Sequence, residues 1–296
     1  MRPTRRAAGV AAALAAAAVA STLVLAPSAH AASNGDRLGT DLYVLTSDGR
    51  LTLYSGDDID DAVNEVSISG LDAGEKLVGI DMRPANGSLY AMSDRNQLYR
   101  IDGLSGEATK VGTPVVMLQG VVGFDFNPTV DRIRIVTSSG QNLRLNPDTG
   151  AVAGTDTNLG YAATDANAGR SPMVSGAGYT NSVAGATSTL LYDIDFKRNL
   201  LVTQGTAPGV TPVVGPNTGQ LFTVGRLSIP ASAINGFDIA GEEETPGVFD
   251  PADYTAVAST NVGRASLINT VDLATGRSRV IEIVKGRVVG LTFAAT

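Results

Sequence analysis

Three aspartates recur at one place in a repeated phrase. They are Asp81 in Gly79-Ile80-Asp81-Met82, Asp125 in Gly123-Phe124-Asp125-Phe126 and Asp238 in Gly236-Phe237-Asp238-Ile239. Two further copies, Gly176-Ala177-Gly178-Tyr179 and Gly290-Leu291-Thr292-Phe293, carry glycine and threonine at that place. Carboxylates gathered by a repeat have three uses. They can brace backbone N–H groups of the neighbouring unit. They can hold a hard cation such as Ca2+, together with backbone carbonyls and water. As a pair at a defined separation they can act as acid and base on a sugar, in a hydrolase or lyase. Positions repeated by an architecture ordinarily serve it, so bracing is the default expectation and Asp81, Asp125 and Asp238 are the catalytic group only if the protein is an enzyme.

A second group is basic and amidic: Asn127, Asp131, Arg132, Arg134, Gln141, Asn142, Arg144 and Asn146. Side chains alternate along a strand, which puts Arg132 and Arg134 on one face with Arg144 beside them on the next strand. Three guanidiniums on one face need carboxylates or a ligand between them, and Asp125, Asp131 and Asp148 are the candidates. One reading is an inter-blade network of ion pairs and hydrogen bonds. The other is a pocket for an anionic ligand such as a uronate or phosphate, read by bidentate arginine. A third group, Tyr179-Thr180-Asn181 with Tyr192, Asp193 and Asp195, has the aromatic faces and amides that suit carbohydrate. Tyr179, however, occupies the column filled elsewhere by Met82, Phe126, Ile239 and Phe293, which reads as core. The candidate ligand-binding residues are thus Arg132, Arg134, Gln141, Asn142, Arg144, Tyr179 and Asn181.

Composition narrows the chemistry. Residues 1–31 read as a cleaved signal peptide: Arg2, Arg5 and Arg6, an uncharged apolar run from Gly9 to Ala26, then Ala29-His30-Ala31 for the peptidase. No later apolar run has spanning length. The single His of the chain is His30, and there is no Cys or Trp. The mature protein, residues 32–296, is therefore expected to be secreted, extracytoplasmic and without imidazole or thiol. That excludes Ser-His-Asp and Cys-His nucleophiles, zinc or copper sites built on those ligands, and disulfides. Loss of three arginines leaves 19 basic against 29 acidic side chains, a formal −10. Such a chain repels nucleic acid.

The elements that must position these groups are short strands. The five phrases start 44, 53, 60 and 54 residues apart, and each unit resolves into about four strands, the signature of a radial all-β array. The second unit reads as Leu77–Met82, Ser88–Met92, Gln97–Ile101 and Glu107–Val111. The third reads as Val122–Phe126, Arg132–Thr137, Asn142–Leu145 and a fourth strand at Ala151–Ala153 or nearer Leu159–Ala162. The fourth and fifth units follow from Val174 and Ile234. The chain closes on Arg287–Phe293, a first strand with nothing after it, and the mature start offers strands two to four, Asp41–Leu45, Leu51–Tyr54 and Glu65–Ile68. Joined, they make one complete unit and shut the ring. The turns Asp102–Gly106, Asn146–Gly150 and Asp272–Gly276 are one type, with Asp or Asn opening and Gly in the positive-φ position. The expectation is a single five-bladed β-propeller of four-stranded antiparallel blades over residues 32–296. Six blades is the alternative if the long fourth and fifth units hide a hairpin.

The third and fourth units also resemble a known family. Phe126-Asn127-Pro128 with Asp131–Arg134, then Gly140-Gln141-Asn142-Leu143-Arg144-Leu145-Asn146-Pro147-Asp148-Thr149-Gly150, is similar to the most distinctive stretch of a bacterial family known as domain of unknown function 4394. Tyr179–Ser182, Leu191–Asp195 and Gly219–Gly225 agree with it. The resemblance implies a secreted propeller and no particular activity, cofactor or partner. One departure is Ala207-Pro208-Gly209 with a longer insertion to Gly219, where the family often has a Pro-rich turn. These readings together make the protein an exported, monomeric, non-catalytic binding or scaffold module for a small ligand, a glycan or an envelope partner. A carboxylate-dependent carbohydrate-active enzyme is the alternative.

Overall fold

Alternating apolar residues, abundant turn-forming Gly and Asp, and no helical periodicity dictate short paired strands, and that is what the backbone forms. The computed structural model describes residues 37–114, 117–245 and 247–295; the expected signal segment 1–31 lies outside them. Blade 2 consists of β4 (Leu77–Arg83), β5 (Ser88–Ser93), β6 (Leu98–Ile101) and β7 (Ala108–Val111). Blade 3 consists of β8 (Val122–Asn127), β9 (Arg132–Thr137), β10 (Asn142–Leu145) and β11 (Val152–Thr155). Blade 4 has β13 (Val174–Tyr179), β14 (Leu191–Asp195), β15 (Leu200–Gln204) and β16 (Gln220–Arg226). Blade 5 has β17 (Phe237–Ala240), β18 (Thr255–Val262), β19 (Ala265–Val271) and β20 (Ser278–Lys285).

Blade 1 is the composite. Its inner strand is β21 (Val288–Phe293), followed outward by β1 (Leu42–Thr46), β2 (Arg50–Tyr54) and β3 (Ala62–Ser67). The antiparallel register runs from Leu42 opposite Phe293 to Leu45 opposite Gly290, and the Ala294 N–H donates to the Asp41 carbonyl at 2.7 Å. The expected closure by the chain's last strand is realised. The four-stranded body of each of the five blades is antiparallel, and no sixth blade forms among the described residues.

Of the two positions expected for the fourth strand of the third unit, the nearer one is used, as β11. The farther one becomes β12 (Gly160–Tyr161), which pairs parallel with β16 and gives blade 4 a fifth strand. The three matched turns also form as expected. In each, the side chain of Asp102, Asn146 or Asp272 accepts the next two free backbone N–H groups, and Gly106, Gly150 or Gly276 returns the chain with φ of 68–76°.

Without disulfides the ring rests on burial between blades. The core is accordingly five separate clusters, one in each seam. Phe124, Phe126, Ile133, Ile135, Leu143 and Leu145 of blade 3 pack on Tyr90, Met92 and Leu98 of blade 2. Leu38, Ile59, Leu42, Val44 and Phe293 pack on Val257, Ile268 and Val284 where blade 5 meets the composite blade.

Candidate functional site at the propeller axis

The inner strands β4, β8, β13, β17 and β21 stand around the axis, and the first residue of each phrase is glycine because these backbones nearly touch. A Cβ on Gly236 would lie 2.4 Å from the Leu291 backbone nitrogen, and one on Gly290 would lie 2.9 Å from that of Ile80. The channel is consequently almost closed at this level. The cavity that Gly79, Gly123, Gly176, Gly236 and Gly290 help to line measures about 10 Å³, the room of roughly one water.

Two residues further along, the three aspartates converge. One carboxylate oxygen from each of Asp81, Asp125 and Asp238 lies within 4.8 Å of the others, and all three residues are buried. Each also reaches to the next blade. Asp81 Oδ2 accepts the Phe126 N–H at 2.6 Å, Asp125 Oδ1 accepts that of Tyr179 at 2.9 Å, and Asp238 Oδ2 accepts that of Phe293 at 2.7 Å. Thr292 completes the step from blade 1 to blade 2: its Oγ1 accepts the Met82 N–H at 3.2 Å and donates to Asp81 Oδ1 at 2.8 Å. Blade 4, with Gly178, has no side chain to offer, and the Ile239 N–H turns back to Asp238 Oδ1 at 2.6 Å. The third position of the phrase thus clasps side chain to backbone across four of the five seams.

Burial is the first influence on these carboxyls, and mutual repulsion adds to it. Asp81 is pushed well above the usual carboxylate range by desolvation and by Asp238. Asp125 is raised by desolvation, Asp81 and Asp238. Asp238, whose oxygens accept two backbone N–H groups, rises only to about 6.

The second group divides. Arg134, 1% exposed, is the hub of the seam between blades 3 and 4. Its Nε donates to the Tyr179 hydroxyl at 3.2 Å, its Nη1 to Asn142 Oδ1 at 2.7 Å and Asp156 Oδ2 at 2.6 Å, and its Nη2 to Asn217 Oδ1 at 2.6 Å. Arg144 grips both oxygens of Asp156 at 2.8 Å. Gln204 of blade 4 joins through Asn142. Arg134, Asn142, Arg144 and Tyr179 therefore come together, held in an internal network. Arg132 bonds the carbonyls of Val130 and Asp131 in its own turn. Gln141 braces Met117 and Gln119. Asn181 lies in the next seam, bonded to Ser188, Glu243 and Tyr254.

The carboxylate between the arginines is Asp156, which the sequence reading did not name. Asp131 and Asp148 both pair instead with Arg83, at 2.5 and 2.7 Å. Asp156 follows β11, whose register against β10 shifts after Arg144, so strand alternation could not place it. Asp193 and Asp195 on β14 part company. Asp195 accepts the Tyr161 hydroxyl at 2.7 Å and pairs with Arg198 at 3.1 Å. Asp193 is fully buried, with no hydrogen-bond partner on either oxygen among the described residues. Burial pushes it up to about 8, with Arg134 opposing.

A larger cavity of about 410 Å³ opens on blade 5, lined by Arg37, Tyr254, Thr255, Thr270, Arg277, Arg279 and others. Its single carboxylate, Asp272, accepts the N–H groups of Ala274 and Thr275.

A family model described as "Domain of unknown function (DUF4394)" matches residues 50–292. No curated protein matches the chain in sequence. Among solved structures, the chain is similar to one in a nidogen/laminin complex, with a TM-score of 0.49 and 12% identity over 86% of this chain and 98% of that one. It is also similar to the structure of U3-55K, with a TM-score of 0.43 and 7% identity over 81% of this chain and 59% of that one.

Proposed function

We propose that this chain, which belongs to the DUF4394 family, is an exported binding or scaffold module that takes a small ligand, a glycan or an envelope partner without turning it over. One observation carries the reading: the carboxylates best placed for acid/base work, Asp81, Asp125 and Asp238, each accept a backbone N–H from the following blade, beside a channel with room for about one water. A glycosidase needs two carboxyls flanking a bond that the substrate can bring between them. A sugar ring does not enter a space of about 10 Å³.

The blade 5 cavity supports the binding side of the reading. Its volume of about 410 Å³ is within the usual span of small-molecule sites. It presents Arg37 and Arg277 with a Thr-rich wall and only one carboxylate, a lining suited to an anionic sugar or other small carboxylate. Calorimetric titration of the intact chain with neutral and uronate oligosaccharides, with product analysis on the same samples, tests this. The expected result is saturable binding of an anionic member, weakened by Arg277→Ala, with no product. Turnover that disappears in Asp81→Asn or Asp125→Asn would establish the carbohydrate-active enzyme instead.

A further inference from the structure

Register fixes where the unpartnered Asp193 points. On β14 it stands opposite Ala177 and Val202, and directly opposed residues share a face of the sheet. Ala177 and Val202 pack with Val136 of blade 3, so Asp193 projects into the seam between blades 3 and 4. The facing blade presents Asp125 and Arg134, opposite each other on β8 and β9. Asp193 bonds neither, since the guanidinium donors go to Tyr179, Asn142, Asp156 and Asn217. Of Asp125, only Oδ1 accepts a hydrogen bond among the described residues.

The axis therefore gathers Asp81, Asp125 and Asp238, and Asp193 stands across the seam from Asp125 on the fourth blade. Arg134 and Arg144 are the cations of this seam, and both already share Asp156. Buried carboxylates at this density stay ionised only with a compensating cation. One oxygen from each of the three phrase aspartates lies within 4.8 Å of the others. Ca2+ accepts irregular all-oxygen sites, whereas Mg2+ demands octahedral geometry and keeps several of its waters.

We propose that the propeller axis is a Ca2+ site, with one oxygen each from Asp81, Asp125 and Asp238 as ligands and Asp193 facing the ion across the seam from blade 4. The ion ties together blades 2, 3 and 5 through the phrase aspartates. Blade 4, which has Gly178 at that position, takes part through a carboxylate one strand further out. Oxygen-only ligation is the chemistry of a hard cation.

The intact chain, stripped with EGTA and dialysed against millimolar CaCl2, is expected to retain one Ca2+ per molecule by elemental analysis. Its unfolding temperature is expected to rise with Ca2+ concentration, as mass action requires of an ion that binds only the folded state. Asp193→Asn keeps the side chain's shape and is expected to weaken Ca2+ about tenfold or more while leaving the circular dichroism spectrum unchanged. Absence of stoichiometric Ca2+, with the same unfolding temperature in EGTA and in CaCl2, would overturn the site. An equal stabilisation by Mg2+ would overturn the assignment of the ion, and unchanged affinity in Asp193→Asn would remove Asp193 from it.

Discussion

The two faces of blade 3 are made from the same three strands and bury to similar depth, yet they are held by different physics. Toward blade 2 the blade presents Phe124, Phe126, Ile133, Ile135, Leu143 and Leu145, with Tyr90 edge-on to Phe126 at 5.3 Å between centroids. Toward blade 4 the alternate residues are Asp125, Arg134, Asn142 and Arg144, closed by Asp156, Asn217, Gln204 and Tyr179. The apolar face is non-directional and tolerates small slips. The polar face fixes one relative placement of the two blades, because each guanidinium donor has one acceptor and an unmatched partner in the dry interior is expensive.

Substitutions can break this contrast. Arg134→Ala is expected to have the largest effect, about 3–5 kcal/mol, because it removes a buried donor shared by Asp156, Asn142, Asn217 and Tyr179 and leaves a cavity in its place. Chemical denaturation would measure it. Phe126→Ala, on the opposite face, is expected to cost about 3–4 kcal/mol from lost burial and the cavity it leaves. The two differ in how they can be rescued. Replacing Arg134, Arg144 and Asp156 together by apolar residues of similar volume should recover most of the Arg134→Ala loss, whereas no polar change on the other face recovers Phe126→Ala. Failure of that rescue would mean that the polar seam contributes more than its own satisfaction.

Acid sharpens the same comparison. Burial pushes the Asp156 carboxyl up, but Arg144 and Arg134 together hold it below its ordinary value. A depressed carboxyl binds fewer protons folded than unfolded. Its contribution is therefore fully present above the unfolded pKa of about 4 and is lost as pH falls through the lower folded value. The stability gap between wild type and Arg134→Ala should narrow on acidification below about pH 4, while the gap for Phe126→Ala should stay constant. The smallest effect is expected at the surface. Asp148 pairs with Arg83 but its side chain is 66% exposed, so Asp148→Asn should change stability by less than about 1 kcal/mol.

Much of this was legible because the repeat constrains it. The period of the Gly-x-Asp phrase gave the blade number, the unpaired first strand at the C-terminal end gave the closure, and the bracing role of the phrase aspartates followed from their recurrence. Strand alternation was also sufficient to set Arg144 beside Arg134, which it opposes in the register. Three features were not legible. Asp156 follows a register shift and a strand end, where alternation stops counting. Gly160–Tyr161 is two residues long, and its pairing with β16 depends on where the blade 3 to blade 4 connector passes. Asn181 adopts a φ of 56° just after β13, which turns it away from the Tyr179 side and into the next seam.

The composite blade has a consequence for how the protein comes into being. Leu42 and its neighbours on β1 pair with β21, which follows them in the sequence by the other four blades, so those four blades are synthesised before the composite one can be completed. During that interval β1 offers an open edge and the flank of β17 lacks its Phe293 neighbour, the kind of surface on which other chains nucleate aggregation. Completion is a single event of very long sequence separation, which makes ring closure the slow step of folding.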